Sequence, residues 1–362
     1  RRGGDTMKTK PEELLQHPLS WLADSGPDDD IAISTRIRLA RNFRSMPFPI
    51  AGNQDALRQV RDLAEQAILS SEALAEPMEF DLPALGEIEK RLLLERRLIS
   101  RDMLTPNPAA SLLADRDESL AVMVNEEDHL RIQALSPGFQ LESVWERINQ
   151  FDDVLASRIP YAFDPRLGFL TSCPSNLGTG MRASVMLHLP GLVMAGQIAA
   201  VKQALGKLGL AVRGFYGEGT ENFGNLFQIS NQSTLGESEE QILERISSIV
   251  KQIIIHEKQS RQALLDQKQS FLLNQVGRAY GILRHGYMIT SEEALNSLSA
   301  LRLGVDMKMF SSVDIHTVNE LFLNVQPSHL QIAEKKELSQ EERDTARATL
   351  IRETLKTKRG QV

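Results

Sequence analysis

The chain is poor in several things, and each absence narrows what it can do. It has one cysteine, Cys173, in 362 residues. One cysteine cannot close an internal disulfide, and no Cys/His spacing matches a zinc site, which fits a reducing, cytoplasmic setting. The seven histidines include no H-x-x-x-H pair. No apolar run approaches the ~20 residues of a membrane-spanning helix, and no secretory signal opens the chain. The phosphate-binding pattern G-x-x-x-x-G-K-[ST] is missing. Positive charge is outnumbered, with 41 Lys and Arg against 48 Asp and Glu, for a net charge of −7. That argues against a general binder of nucleic acid or of anionic membranes, while leaving room for a local basic pocket.

What is present is ordinary globular material, 41% hydrophobic and 25% charged, long enough for two domains. The residues before Met7 read as a leader with no structural role. "IAISTRIRLA" (31–40) alternates and predicts a strand. "DALRQVRDLAEQAIL" (55–69) predicts a helix with Leu57, Val60, Leu63, Ala64 and Ala67 on its apolar face. Residues 84–100 and 143–157 also carry helical patterns. Residues 110–135 read as one hairpin turning at "DRDES". "LGFLTS" and "ASVMLHL" predict strands around a Pro/Gly loop, residues 192–209 a helix, and 210–231 a second hairpin around a Gly-rich loop. From about residue 236 only helical patterns follow. The reading is α+β: a largely antiparallel sheet flanked by helices, then a small all-helical C-terminal domain. The boundary falls near 262, giving domains 18–262 and 263–362.

Strand periodicity puts Arg36 and Arg38 on one face of "STRIR". Arg131, Arg182 and Arg213 each sit inside or beside a strand or a Gly-rich loop. Singly, each is an ordinary surface arginine. As a set they suit a nucleoside triphosphate, because guanidinium groups grip phosphate oxygens with a rigid, permanently charged fork. "GTGMRA" (178–183) matches a dinucleotide fingerprint but lacks the preceding strand, the following helix and the acid ~20 residues on, so that reading fails.

"VNEEDHLRI" (124–132) places three acids in a row within an apolar context. Read as one strand, it sends Asn125, Glu127, His129 and Arg131 to one face, and Glu126 and Asp128 to the other. Two explanations stand on the residues alone. One is a strand edge protected by charge. The other is a cleft where Glu127 orients a cationic substrate beside phosphate-binding Arg131, with Glu218 on a closing loop.

Four segments, "STRIRLAR", "VNEEDHLRI", "CPSNLGTGMRASV" and "GEGTENFGNLFQISN", resemble in order the signatures of the ATP:guanidino phosphotransferases. The resemblance implies transfer of the ATP γ-phosphoryl group to a guanidinium, with Mg²⁺. It assigns Arg36, Arg38, Arg131, Arg182 and Arg213 to the nucleotide phosphates, and Glu127 and Glu218 to catalysis at the acceptor. Glu126 would approach Mg²⁺ through water, with no direct protein ligand to the metal; that role needs it near Glu127, so the strand is expected to bend or end within the triplet. Cys173 and Asn125 would lie near the substrate. The family's metabolic members carry an N-terminal helical domain that this chain lacks, and the added helical C-terminal part is similar to that of kinases acting on protein arginine. "RDTARA" (343–348) resembles their allosteric phosphoarginine motif, implicating Arg343, Asp344, Arg347 and Ala348. As residues alone, the same stretch is a solvated helix with an Asp–Arg pair. The resemblance further implies a homodimer, an activator protein and a Clp-type protease as partners. Two departures stand out: Arg97 occupies a position where these kinases tend to have His, and Gly219 one where the metabolic kinases do. The alternatives are a kinase of free arginine and a non-catalytic phosphoarginine-binding adaptor.

Overall fold

The computed structural model describes residues 8–214, 223–310 and 313–357. Its strands are β1 (Ala32–Arg41), β2 (Met78–Asp81), β3 (Ser111–Ala114), β4 (Leu120–Val124) and β5 (Leu130–Pro137), a two-residue pair β6 (Phe163–Asp164) and β7 (Gly168–Phe169), then β8 (Met181–His188), β9 (Leu210–Gly214) and β10 (Leu226–Asn231). Eight of them form one sheet in the order β2-β3-β4-β5-β1-β8-β10-β9. Every neighbouring pair is antiparallel, as the hairpin signals predict.

Helices α1 (Ser20–Ala23), α2 (Gln54–Ser70), α3 (Glu87–Glu95), α4 (Leu141–Ala156), α5 (Pro190–Met194) and α6 (Ile198–Lys207) flank the sheet. The helical part comprises α7 (Glu239–His285), α8 (Ser291–Asp306), α9 (Ile315–Asn324), α10 (Pro327–Ala333) and α11 (Gln340–Thr357). One sheet face, carrying Ile37, Leu39, Ile132, Val185 and Ile229, is sealed by Val60 and Ala64 of α2, Val144 and Ile148 of α4, and Ile242 and Ile246 of α7. Asn53 caps α2, its side chain accepting from Ala56 N at 2.9 Å. The buried stripe of α2 is Val60, Ala64, Ala67 and Ile68, and Leu63 faces solvent. Of the expected stripe, Leu57 is only partly buried and Leu63 lies on the fringe, while Ile68 joins the buried face.

A second core seats the helical part on the opposite sheet face. Trp21, Leu135, Met186 and Leu226 meet Leu283, Leu298, Leu321 and Ile351 there. The seam also holds a buried polar network. Arg302, fully buried, donates to Asp30 O at 2.8 Å and Asn319 Oδ1 at 3.0 Å, and lies 3.1 Å from His188 Nδ1. Arg261 donates to His188 O at 3.1 Å and to Glu257 at 2.7 Å. A buried arginine with its donors satisfied fixes how two layers meet, because misplacing it would strand a charge in the interior.

The 47-residue helix α7 runs through the residue 262 boundary without a break there. The nearest departure from helical geometry is at Lys268, with φ −137° and ψ 37°. Three further expectations change. The helix read over 192–209 is two, because the Ala195–Gly196–Gln197 turn, with Gly196 at φ 72°, separates α5 from α6. The 84–100 helix ends at Glu95. The single hairpin over 110–135 is a three-strand meander with turns at 115–119 and 125–129.

Candidate active site

The register brings the arginines together. In β1, Arg38 sits between Gln133 of β5 and Arg182 of β8, and Arg36 between Leu135 and Ser184. Ala40, two residues beyond Arg38, faces Arg131. Arg213 of β9 faces Gln228 of β10, which faces Met186 of β8. Directly paired residues share a face, so Arg36, Arg38, Arg131, Arg182 and Arg213 all project from the side opposite Ile37 and Leu39. Arg36, Arg38 and Arg213 line a cavity of about 1630 Å³ whose walls come from α3, the segment after it, and the helical part.

This cluster is electrostatically uncomfortable. Burial, then Arg97, Arg131 and Arg182, push the Arg36 guanidinium down to about 9. Arg38 is pushed well below its usual value by burial and by Arg36, Arg131 and Arg182, and Glu126 offsets part of this. The Nε atoms of Arg38 and Arg131 are buried without a hydrogen-bond partner. Arg36 Nη2 donates to Gln228 Oε1 at 3.0 Å, and Arg182 Nη2 to Ser230 Oγ at 3.4 Å. Crowded cations with buried, unspent donors make a preorganised site for a polyanion.

The three acids lie in the β4–β5 turn, not in a strand. The ladder closes at Val124–Leu130, Asn125 adopts φ 56°, and its N–H bonds His129 O at 2.9 Å. Alternation therefore fails for 125–129, and the predicted split of the triplet falls with it. The Asn125 amide turns inward and donates to Leu57 O at 2.8 Å and Ala109 O at 2.9 Å. It holds the turn from behind, at 1% exposure. Asp128 also faces inward, accepting from Asn42 Nδ2 and Ser172 N, both at 2.6 Å. His129 accepts from Phe43 N at Nδ1 (3.0 Å), so Nε2 carries the proton donated to Pro47 O (2.9 Å).

The other two acids approach Arg131. Glu126 Oε2 lies 3.7 Å from Arg131 Nη1, and Glu127 Oε2 lies 3.9 Å from the same atom. The Glu126 side chain is 2% exposed and that of Glu127 41%. Glu127 also accepts from Asn176 Nδ2 at 3.2 Å. Its pKa is raised from the ordinary value, first by burial and then by Asp128, against the pull of Arg131. Cys173, half-buried, has its Sγ 3.0 Å from Ser175 Oγ in the loop that carries Asn176. Glu218 and Gly219 lie outside the described residues.

The "RDTARA" residues divide. Arg343 lines the cavity and donates to Leu338 O at 2.7 Å. Arg347 is 1% exposed and donates to Val325 O (2.9 Å), Ile289 O (2.8 Å) and Asp344 Oδ1 (2.5 Å). Ala348 is fully buried. Helical spacing does place Arg343 and Arg347 one turn apart, but α11 is covered where Arg347 stands. The two do not form one open clamp.

Sequence reasoning missed Gln133 and Arg41, and noted Arg97 only as a departure from the family pattern. Gln133 follows Arg131 by two strand positions, so the same periodicity could have found it. Arg97 lines the cavity beside Arg36 in a left-handed conformation (φ 66°), its carbonyl taking Gln133 Nε2 at 2.7 Å. Arg41, at the end of β1, pairs with buried Asp152 at 2.7 Å and donates to Thr179 O at 3.0 Å.

Comparisons with known proteins agree with this geometry. Residues 59–260 match the family described as ATP:guanido phosphotransferase, C-terminal catalytic domain. Residues 269–361 match the protein-arginine kinase McsB C-terminal domain. A protein-arginine kinase from Pelotomaculum thermopropionicum is 44% identical over 335 residues, covering 92% of this chain and 94% of that protein. One from Brevibacillus brevis is 44% identical over 355 residues, covering 97% and 99%. Among solved structures, a lombricine kinase is 26% identical with a TM-score of 0.57, covering 68% of this chain and 70% of its own. The family match spans more than half of the chain and the relatives nearly all of it: the chain belongs to the ATP:guanido phosphotransferase family, in the group that contains protein-arginine kinases.

Proposed function

We propose that this protein transfers the γ-phosphoryl group of ATP to arginine side chains of other proteins. The observation that carries the reading is the pairing of five arginines on one sheet face with Glu127, a carboxylate of raised proton affinity 3.9 Å from Arg131. An acceptor guanidinium is protonated and delocalised, with a pKa above about 12 in water. Glu127 would hold it in line with the γ-phosphorus and take its proton. The N–P bond then forms, the bridging P–O bond breaks, and ADP leaves. By family resemblance, Glu218 would hold the second face of the guanidinium. Arg36, Arg38, Arg131, Arg182 and Arg213 would spread the charge of the transferring group. Bound Mg²⁺ would neutralise phosphate oxygens, and Glu126, which already offsets Arg38, is the carboxylate suited to one of its waters.

Arg343, on the cavity wall, would contact a phosphoarginine effector, with Arg347 and Asp344 anchoring α11 behind it. Family likeness supports a homodimer, an activator and a Clp-type protease as partners, in the cytoplasm; no helix among the described residues is long and apolar enough to cross a membrane. The test is to supply ATP with either an unfolded protein or free L-arginine and to follow acid-labile phosphorylation. Transfer to protein arginine supports the reading. Transfer only to free arginine replaces it with a small-substrate kinase, and no turnover with retained phosphoarginine binding replaces it with an adaptor.

A further inference from the structure

Helix α8, in the helical part, clamps one segment at the edge of the cavity, residues 223–225. Gly224 N donates to Asn296 Oδ1 at 3.0 Å, and Asn225 Nδ2 donates to Ser299 Oγ at 2.9 Å. Asn296 and Ser299 stand three positions apart on α8, so one helix face makes both contacts. Ser299 is itself fixed. His188 Nδ1 faces a nitrogen of Arg302, which can only donate, so the imidazole proton sits on Nε2 and goes to Ser299 Oγ at 2.8 Å. The approach is close, for a Cβ on Gly224 would lie 3.2 Å from both Leu295 O and Phe322 Cε1. Gly224 and Asn225 are both left-handed, with φ 70° and 52°. Asn225 is disfavoured there, and such a conformation persists where its surroundings over-determine it.

The clamp is not what makes the sheet, since β10 begins at Leu226 and pairs with both β8 and β9. It fixes the chain just before β10. Phe223 lines the cavity together with Arg36, Arg38, Arg213 and Leu295. Glu218 precedes Phe223 in the sequence and follows Gly214, the last residue of β9. The start of α8 is held in turn by α11, with Ile289 N donating to Asp344 O at 3.1 Å and Arg347 Nη1 to Ile289 O at 2.8 Å. We propose that Asn296 is a positioning residue for phosphoryl transfer: by fixing Gly224 it anchors the stretch of chain that carries Glu218, so that the helical part completes the catalytic centre. The inference rests on the protein-arginine reading above and on the role given there to Glu218.

Asn296 is exposed, so Asn296→Ala removes the acceptor for Gly224 N without opening the core, and Asn296→Asp keeps it. With ATP and an unfolded protein as substrates, kcat of the full-length Ala variant should fall by about tenfold while KM for ATP holds, and the Asp variant should recover most of the loss. Glu218→Gln should lower kcat on its own. Adding Asn296→Ala to it should cost nothing more, because a group that acts only by placing Glu218 has nothing left to place. Undiminished kcat in Asn296→Ala overturns the inference alone. So does a loss that Asp does not restore, that raises KM for ATP in step, or that multiplies with Glu218→Gln. If the parent transfers only to free arginine, the protein-arginine reading falls, and the same variants run on free arginine decide the role of Asn296. Absence of transfer by the parent to either substrate overturns both.

Discussion

Glu126 and Glu127 approach one guanidinium nitrogen, Arg131 Nη1, from 3.7 and 3.9 Å, yet one side chain is 2% and the other 41% exposed. Neighbours in sequence thereby acquire different chemistry. Glu126 serves the charge balance of the arginine cluster, and Glu127 stands at the surface with a raised proton affinity.

Glu127→Gln keeps the shape and removes the base. Turnover should fall by about 10²- to 10⁴-fold, the usual contribution of a general base, while ATP affinity holds. Burial and Asp128 raise the Glu127 pKa above 4.5, so the acid limb of the kcat/KM profile should lie above that value and vanish in the variant. A folded pKa above the unfolded one means that the stability it contributes is full below 4.5 and lost as pH rises through the folded value. At pH 7 the variant should therefore melt no lower than the parent, and a clear drop in Tm would contradict this assignment.

Nucleotide affinity should carry the signature of crowded arginines. Charge-assisted hydrogen bonds contribute about 1.5–3 kcal/mol each, so Arg38→Ala should weaken ATP binding by about 10- to 100-fold. Burial and Arg97, Arg131 and Arg182 hold Arg36 down to about 9. ATP requires the charged form, so its affinity should fall as pH rises through about 9. Calorimetry in two buffers of different ionisation enthalpy would detect the accompanying proton uptake. Affinity flat from pH 7 to pH 10 would remove Arg36 from the phosphate contacts.

Much of this site was legible because strands obey a period of two. Arg36 and Arg38 share a face on any strand, and antiparallel pairing carried Arg131, Arg182 and Arg213 to the same side. Strict alternation failed in the acid triplet because apolar runs on both sides look like one strand, while the expected bend or end of the strand there is what the turn at 125–129 shows. Its break depends on a left-handed Asn125 held by carbonyls of Leu57 and Ala109, 68 and 16 positions away. Arg347 was misread for a related reason. Spacing states which residues share a helix face, not what covers that face. Arg97 enters the cluster only through the packing of α3 against the sheet, which no local pattern encodes.

Arg343 and Arg347 should separate cleanly on mutation. Arg347→Ala strands the carbonyls of Val325 and Ile289 in the interior. Each unsatisfied group costs about 1–3 kcal/mol, so Tm should drop by several degrees in differential scanning calorimetry. Arg343→Ala should leave Tm and basal turnover nearly unchanged while blunting any response to phosphoarginine. Equal destabilisation by both variants would refute this division.

Arg41 tests whether the acceptor loop is held from below. Its guanidinium pairs with Asp152 at 2.7 Å, donates to Thr179 O at 3.0 Å, and stacks 3.6 Å over the Phe169 ring. It thereby ties α4 to both ends of the segment that carries Cys173 and Asn176. Removing one partner of a buried pair costs about 3–5 kcal/mol, so Arg41→Ala should unfold readily and tell little about the loop. Arg41→Lys is the sharper variant, because it keeps the charge but loses the fork and the stacking. The loop should then loosen around a retained fold. KM for the acceptor should rise more than KM for ATP, and Cys173 should alkylate faster than in the parent. Unchanged Cys173 reactivity, with both KM values rising together, would place Arg41 in general stability and not in the setting of this loop.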